Sequence, residues 1–108
     1  MISAERAAQN ESTFREANEG LEQRADELGL ADGGRIPFLC ECDEERCTRV
    51  VLLTRPEYER VRAQPRAFVL SGGHEGAEDQ VLRAEPGYTV VEKIGHTGEL
   101  VEQRNPRS

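Results

Sequence analysis

The chain has 108 residues, 36% hydrophobic and 5% aromatic with no Trp, against 32% charged. That composition leaves room for one small domain with a thin core, excludes a multidomain scaffold and favours an added staple such as a metal or a partner. A formal net charge of -7 repels nucleic-acid phosphates and anionic membranes, no apolar run approaches the roughly 18 residues of a membrane helix, and Met1-Ile2-Ser3-Ala4-Glu5-Arg6 lacks a signal peptide's apolar stretch, so a cytoplasmic protein is expected.

Residues 3–28 are rich in Ala, Glu, Gln and Arg, with Phe14, Ala17, Leu21 and Leu28 at helical spacing. They predict a long helix with a narrow apolar stripe, able to lie on the domain or to pair with a second copy or another protein. Gly29, Gly33 and Gly34 end it and form a joint. Residues 36–42 and 47–53 then predict two strands about a polar turn, Asp43-Glu44-Glu45-Arg46. Thr54 and Glu57 form a capping box with Pro56 in the first turn, which starts a short helix at Arg55 that Pro65 stops near Gln64, with Tyr58 and Val61 pointing inward.

A third strand is expected over 66–70, followed by a glycine-rich loop, Ser71-Gly72-Gly73-His74-Glu75-Gly76. Two further strands, 80–85 and 88–94, flank Glu85-Pro86-Gly87-Tyr88, whose Pro-Gly order suits a type II turn. From Gly95 onward the periodicity fades and loop is expected. The fold class is therefore α+β: an antiparallel sheet of two hairpins and one strand, a short covering helix and a long N-terminal helix. The expected division is an acidic helix within 1–32, a single metal-binding domain over 35–103 and a frayed tail over 104–108.

Three cysteines in a reducing compartment favour metal ligation or thiol chemistry over disulfides. On a strand, Cys40 and Cys42 share one face while Leu39 and Glu41 point the other way. With 43–46 as the turn, Cys42 lies opposite Cys47, Cys40 opposite Arg49 and Phe38 opposite Val51, so three thiols converge. Tetrahedral zinc takes four N or S donors, and His74 on its glycine-flanked loop is the expected fourth ligand, giving the set Cys40, Cys42, Cys47 and His74. His96, Glu75, Asp43 or a water are the other candidates for that fourth position.

Catalytic templates are missing. There is no His-x-Glu before Pro-Cys-x-x-Cys, no His-Glu-x-x-His, no Gly-x-Ser-x-Gly and no Gly-x-x-x-x-Gly-Lys. Four protein donors would also leave zinc no open position for substrate. The reading is a non-enzymatic, zinc-binding interaction or regulatory module. The alternative is a thiol-based redox or metal-dependent enzyme using the same cluster, and the third is a nucleic-acid-binding zinc module. Charge is unevenly placed: residues 3–32 carry eight acids against three arginines, whereas 46–67 carry six arginines against two glutamates. Attraction between the two segments, within one chain or across a dimer, is expected. The partner is a protein or a second copy, met through the N-terminal helix, with nucleic acid and membrane both disfavoured.

The string Phe38-Leu39-Cys40-Glu41-Cys42 with Cys47, Leu53-Thr54, Glu57-Tyr58-Glu59, Gly73-His74-Glu75 and Val90-Val91-Glu92-Lys93 resembles small proteins of high-GC bacteria that have no established activity. Asn10-Glu11, Phe14-Arg15-Glu16 and Asn18-Glu19 fit the same pattern. The resemblance implies that the three cysteines and Gly-His-Glu act as one unit. Zinc fingers of the SWIM type, Cys-x-Cys followed by Cys-x-His, are matched only in part, because Thr48 and Arg49 follow Cys47. Their function does not carry over.

Overall fold

The computed structural model describes residues 3–30 and 33–107. Residues 1, 2, 31 and 32 of the expected N-terminal segment, and Ser108 of the tail, lie outside the described residues. The class is α+β, with three helices and two small antiparallel sheets. No helix among the described residues is long and apolar enough to cross a membrane.

Helix α1 spans Ala4–Glu27. Ser3 caps it by accepting the Arg6 N–H, and Gly29, at φ 73°, ends it. There the Gly29 and Leu30 N–H groups return to Asp26 and Ala25, a Schellman closure that needs the left-handed residue. The buried face differs from the predicted stripe. Ala8, Glu11, Arg15, Asn18 and Ala25 face the protein, while Phe14 and Leu21 are half-buried, Ala17 is exposed and Leu28 is 66% exposed. Glu11, Arg15 and Asn18 can occupy the inner face because each finds a partner elsewhere in the fold, Glu11 on Lys93. Arg15 donates to the Pro65 and Val101 carbonyls at 2.8 and 2.7 Å and lies 4.4 Å over the Phe68 ring. Asn18 binds both the N–H and the C=O of Leu39, at 2.8 and 2.9 Å.

Strands β1 (Arg35–Leu39) and β2 (Val50–Thr54) pair with Phe38 opposite Val51, the register expected. Alternation puts Ile36, Phe38, Val51 and Leu53 inside and Pro37, Val50 and Leu52 outside. Both strands are shorter than predicted. Beyond Leu39 only the Cys40 N–H to Arg49 C=O bond, 3.1 Å, continues the ladder. The Glu41 N–H turns instead to the Val69 carbonyl at 2.8 Å, so residues 40–49 form a loop leaning on a different sheet.

Helix α2 (Arg55–Arg62) carries the full capping box, with Thr54 Oγ1 accepting from Glu57 N–H and Glu57 Oε1 accepting from Thr54 N–H. Tyr58 and Val61 are buried as expected, and Tyr58 stacks on Phe38 with ring centroids 4.1 Å apart. Strands β3 (Ala67–Leu70), β4 (Asp79–Glu85) and β5 (Tyr88–Lys93) form the second sheet in the order β3-β5-β4. Gly87, at φ 93°, supplies the positive φ that the third position of a type II turn requires. The β3–β5 layer is buried on both sides. Val69 and Val90 join the core under the first hairpin, whereas Phe68, Leu70 and Val91 join a second core with Ala8, Cys40, Cys42 and Val101.

The C-terminal region corrects the expected loop and frayed tail. Gly95–Gln103 is a helix, α3. Its Gly98 packs so closely that a Cβ there would come within 2.4 Å of the Lys93 carbonyl oxygen, which explains a helix-weakening residue inside the helix. Beyond it, Asn105 accepts from Arg62 at 2.5 Å, and Arg107 is held by Glu19, Glu22 and Glu59. The attraction between the acidic helix and the arginine-rich segment is realised within one chain, through Arg62–Glu19 and Arg55–Asp26, both 2.6 Å.

Candidate metal centre

Three segments bring the donors together. Cys40 and Cys42 leave β1 in extended chain, and Cys47 returns from the loop with its N–H on the Glu44 carbonyl at 3.0 Å. The third segment follows β3: the His74 N–H closes a turn on the Ser71 carbonyl at 3.2 Å, and Gly73 at φ 88° permits it. This turn places His74 Nδ1 3.6 Å from Cys47 Sγ and 3.8 Å from Cys40 Sγ. One donor atom from each of Cys40, Cys42, Cys47 and His74 lies within 4.8 Å of all the others. Zn–S of about 2.3 Å and Zn–N of about 2.05 Å set at tetrahedral angles require S···N edges of roughly 3.6 Å and S···S edges of roughly 3.8 Å. The cluster can hold a metal ion with little movement.

The electrostatics fit a cation. The Cys40 thiol donates toward Cys42, which holds Cys42 down at about 5, while Cys40 is raised by that same hydrogen bond and by burial. Burial also raises Cys47. A dication bound at the cluster would displace the protons that burial and the shared hydrogen bond favour on Cys40 and Cys47. The Ser71 N–H points at Cys40 Sγ from 3.2 Å, a donor that stabilises thiolate sulfur. Cys40 and Cys42 are buried in the second core, with Cys47 and His74 half-buried at its margin, so the site is neither open to a large substrate nor sealed from entering ions.

All four expected ligands come together, although Cys42 and Cys47 do so from a loop rather than across a strand pair. The other fourth-ligand candidates are engaged elsewhere. His96 lies on α3 beside Glu5 and Glu99, at 3.6 Å from each. Glu75 accepts the Gly73 N–H, and Asp43 abuts Gly76. No disulfide forms among the three cysteines.

Sequence reasoning placed Glu41 on the face opposite the thiols without assigning it a role. It is fully buried, and its carboxylate accepts from Asn18 at 2.9 Å, Tyr58 at 2.8 Å and the Val69 N–H at 3.0 Å. Burial pushes its pKa up, against the pull of those three donors. The Cys-Glu-Cys tripeptide therefore offers metal donors on one side and an anchor to α1, α2 and β3 on the other. The only signal for this anchor is a charged residue between two cysteines in an otherwise apolar strand. In comparison with known proteins, the chain matches no family model, no curated protein and no solved structure.

Proposed function

We propose that this protein is a non-enzymatic, zinc-stabilised interaction or regulatory module, with the metal held by Cys40, Cys42, Cys47 and His74. The observation that carries the reading is the convergence of these donors within 4.8 Å, with S···N separations of 3.6 and 3.8 Å that match tetrahedral edges. Three thiolates and one imidazole in a tetrahedral set favour zinc among the common biological metals. Four protein ligands complete the shell, which argues for a structural rather than a hydrolytic ion.

The partner-binding part of the reading rests on half-buried Phe14 and Leu21 on the flank of α1 and exposed Leu28 at its C-cap, which recur every seven residues and join neither core cluster. A nucleic-acid role is disfavoured, because Arg55, Arg62 and Arg66 are engaged by Asp26, Glu19 and Glu102.

Protein purified without chelator is expected to carry one zinc per chain by elemental analysis. Cys47→Ser should bring zinc well below stoichiometric and lower the melting temperature. An unchanged melting temperature together with zinc-free wild type would overturn the reading. Leu21→Asp is expected to abolish self-association or partner recovery while zinc stays at one equivalent. Loss of zinc and unfolding of a monomer in that variant would show instead that the stripe belongs to the core.

A further inference from the structure

Strand β2 lies at the margin of the first hairpin, with β1 as its one strand partner. The bond from the Cys40 N–H to the Arg49 C=O fixes the parity of the ladder. Phe38–Val51 and Ile36–Leu53 therefore exchange the bonds between the strands, and the N–H and C=O groups of Val50 and Leu52 point away from β1. Leu39 obeys the same parity, with its own backbone groups turned to Asn18. Nothing corresponds to Asn18 on β2. Among the described residues no group bonds the Val50 or Leu52 backbone from that side, and the next N–H in the row, that of Thr54, is given to Glu57 at 2.7 Å. Two rungs are open.

The side chains point the same way. Val50 and Leu52 are 53% and 50% exposed, and exposed Pro37, opposite Leu52, extends their apolar face onto β1. Natural sheets blunt an unpaired strand with a charge, a proline or a bulge. On β4, where Val81 is also exposed, a bulge between Val81 and Arg83 interrupts the strand. The run Val50-Val51-Leu52-Leu53-Thr54 has none of these devices. Such a strand recognises another extended chain, its backbone through the open rungs and its alternate side chains through the exposed face.

Charge selects the occupant. The guanidinium groups of Arg46 and Arg49 ahead of β2, and of Arg35 opposite Thr54, are exposed and form no ion pair among the described residues. The nearby acids Glu44 and Glu45 are turned to the Arg46 N–H and to Arg6. On a chain of net charge -7 this is a local positive margin, attractive to carboxylates and repulsive to basic segments. A second copy is the poorer occupant. Pairing β2 with itself so that open groups meet open groups needs a two-fold axis through Val51, which sets Arg49 of each copy beside Arg55 of the other and joins chains of like net charge.

We propose that β2 is a docking strand for an extended acidic segment of a partner protein. The segment adds antiparallel to β2, exchanges backbone hydrogen bonds with Val50 and Leu52, lays alternate apolar side chains beside theirs and places carboxylates near Arg49 and Arg35. Each backbone bond is of modest net strength, so the contact is weak and reversible. This surface is separate from the zinc and from the α1 stripe, and it stands whether or not either of those readings does.

The test uses the full chain and the peptide acetyl-EEVTVEE-amide, whose valines meet Val50 and Leu52 and whose glutamates reach the flanking arginines. Titration followed by amide resonances is expected to shift the Val50 and Leu52 N–H signals saturably, with half-saturation below about 1 mM. The same peptide N-methylated on both valines, and acetyl-KKVTVKK-amide, should each bind about tenfold more weakly or worse. Rising salt should weaken the acidic peptide. Leu52→Pro removes an N–H that β1 does not use and should abolish binding, and Arg49→Glu should weaken it about threefold or more. Zinc content and circular dichroism report folding, and Arg49→Glu with the N-methylated peptide decides the matter if Leu52→Pro does not fold. The proposal is overturned if neither amide shifts with half-saturation below about 1 mM, if the N-methylated or lysine peptide binds as well, or if a folded Leu52→Pro binds unchanged. It is overturned in favour of a second copy if sedimentation finds a wild-type dimer that Leu52→Pro makes monomeric.

Discussion

With zinc bound as proposed, stripping it with a strong chelator is expected to lower the melting temperature of this protein by roughly 15 °C or more. Ligand linkage sets the scale: a site held about a thousandfold above its Kd stabilises the folded chain by about 4 kcal/mol. A domain of about 100 residues loses about 4 °C or more per kcal/mol. The loss is not expected to be total, as it is in isolated fingers, because the core of Phe38, Leu53, Tyr58, Val69 and Val90 stands apart from the cysteines. Hydrogen exchange should therefore accelerate most over residues 40–49 and 71–78 and least in β1 and β2. Re-addition of zinc should restore the melting temperature, and cobalt(II) should give thiolate charge-transfer absorption. A chelated protein that melts within a degree or two of the untreated one would remove the metal from any account of this fold.

The second large effect is expected at Glu41. Truncation in Glu41→Ala deprives the Asn18 amide, the Tyr58 hydroxyl and the Val69 N–H of their common acceptor in a site closed to water. A buried donor left unsatisfied costs about 1–3 kcal/mol, so a total of about 3–5 kcal/mol is expected by denaturant titration. Glu41→Gln keeps one acceptor oxygen and should lose about half as much. The anchor sits between two metal donors, so Glu41→Ala should also hasten zinc transfer to a chelator. A loss below about 1 kcal/mol, within the range of ordinary surface substitutions and mild truncations, would mean that the three donors find other acceptors and that the anchor is dispensable.

Much of this architecture is legible in the residues because the signals are local. Thr54 and Glu57 announce α2, Pro86-Gly87 sets the second hairpin, and the opposition of Phe38 and Val51 follows from alternation alone. The four donors could be named from strand parity and a glycine-flanked histidine, even though the cysteine loop departs from the ladder to meet β3. What escaped is non-local. The inner face of α1 could not be read from hydrophobic periodicity, because Glu11, Arg15 and Asn18 are buried by partners at Lys93, Val101 and Leu39, far along the chain. The third helix, α3, escaped for a related reason: Gly95 and Gly98 argue against a helix unless the close approach to Lys93 is known. The tail looked free because Arg107 by itself gives no hint of three waiting glutamates.

The side-chain amide of Asn18 has a further consequence. By bonding both the N–H and the C=O of Leu39, it occupies a rung on the outward edge of β1, and Pro37, two residues earlier, has no N–H to offer on that edge. On β3, Glu41 does the same at Val69, with its backbone N–H on the carbonyl and its carboxylate on the N–H. Two strands that would otherwise invite pairing with a foreign chain are thus closed by single residues. Asn18→Ala or Glu41→Ala would reopen an edge as well as weaken the interior, so the damage from either should grow with protein concentration, appearing as turbidity and strand-rich aggregates before the monomer itself has melted.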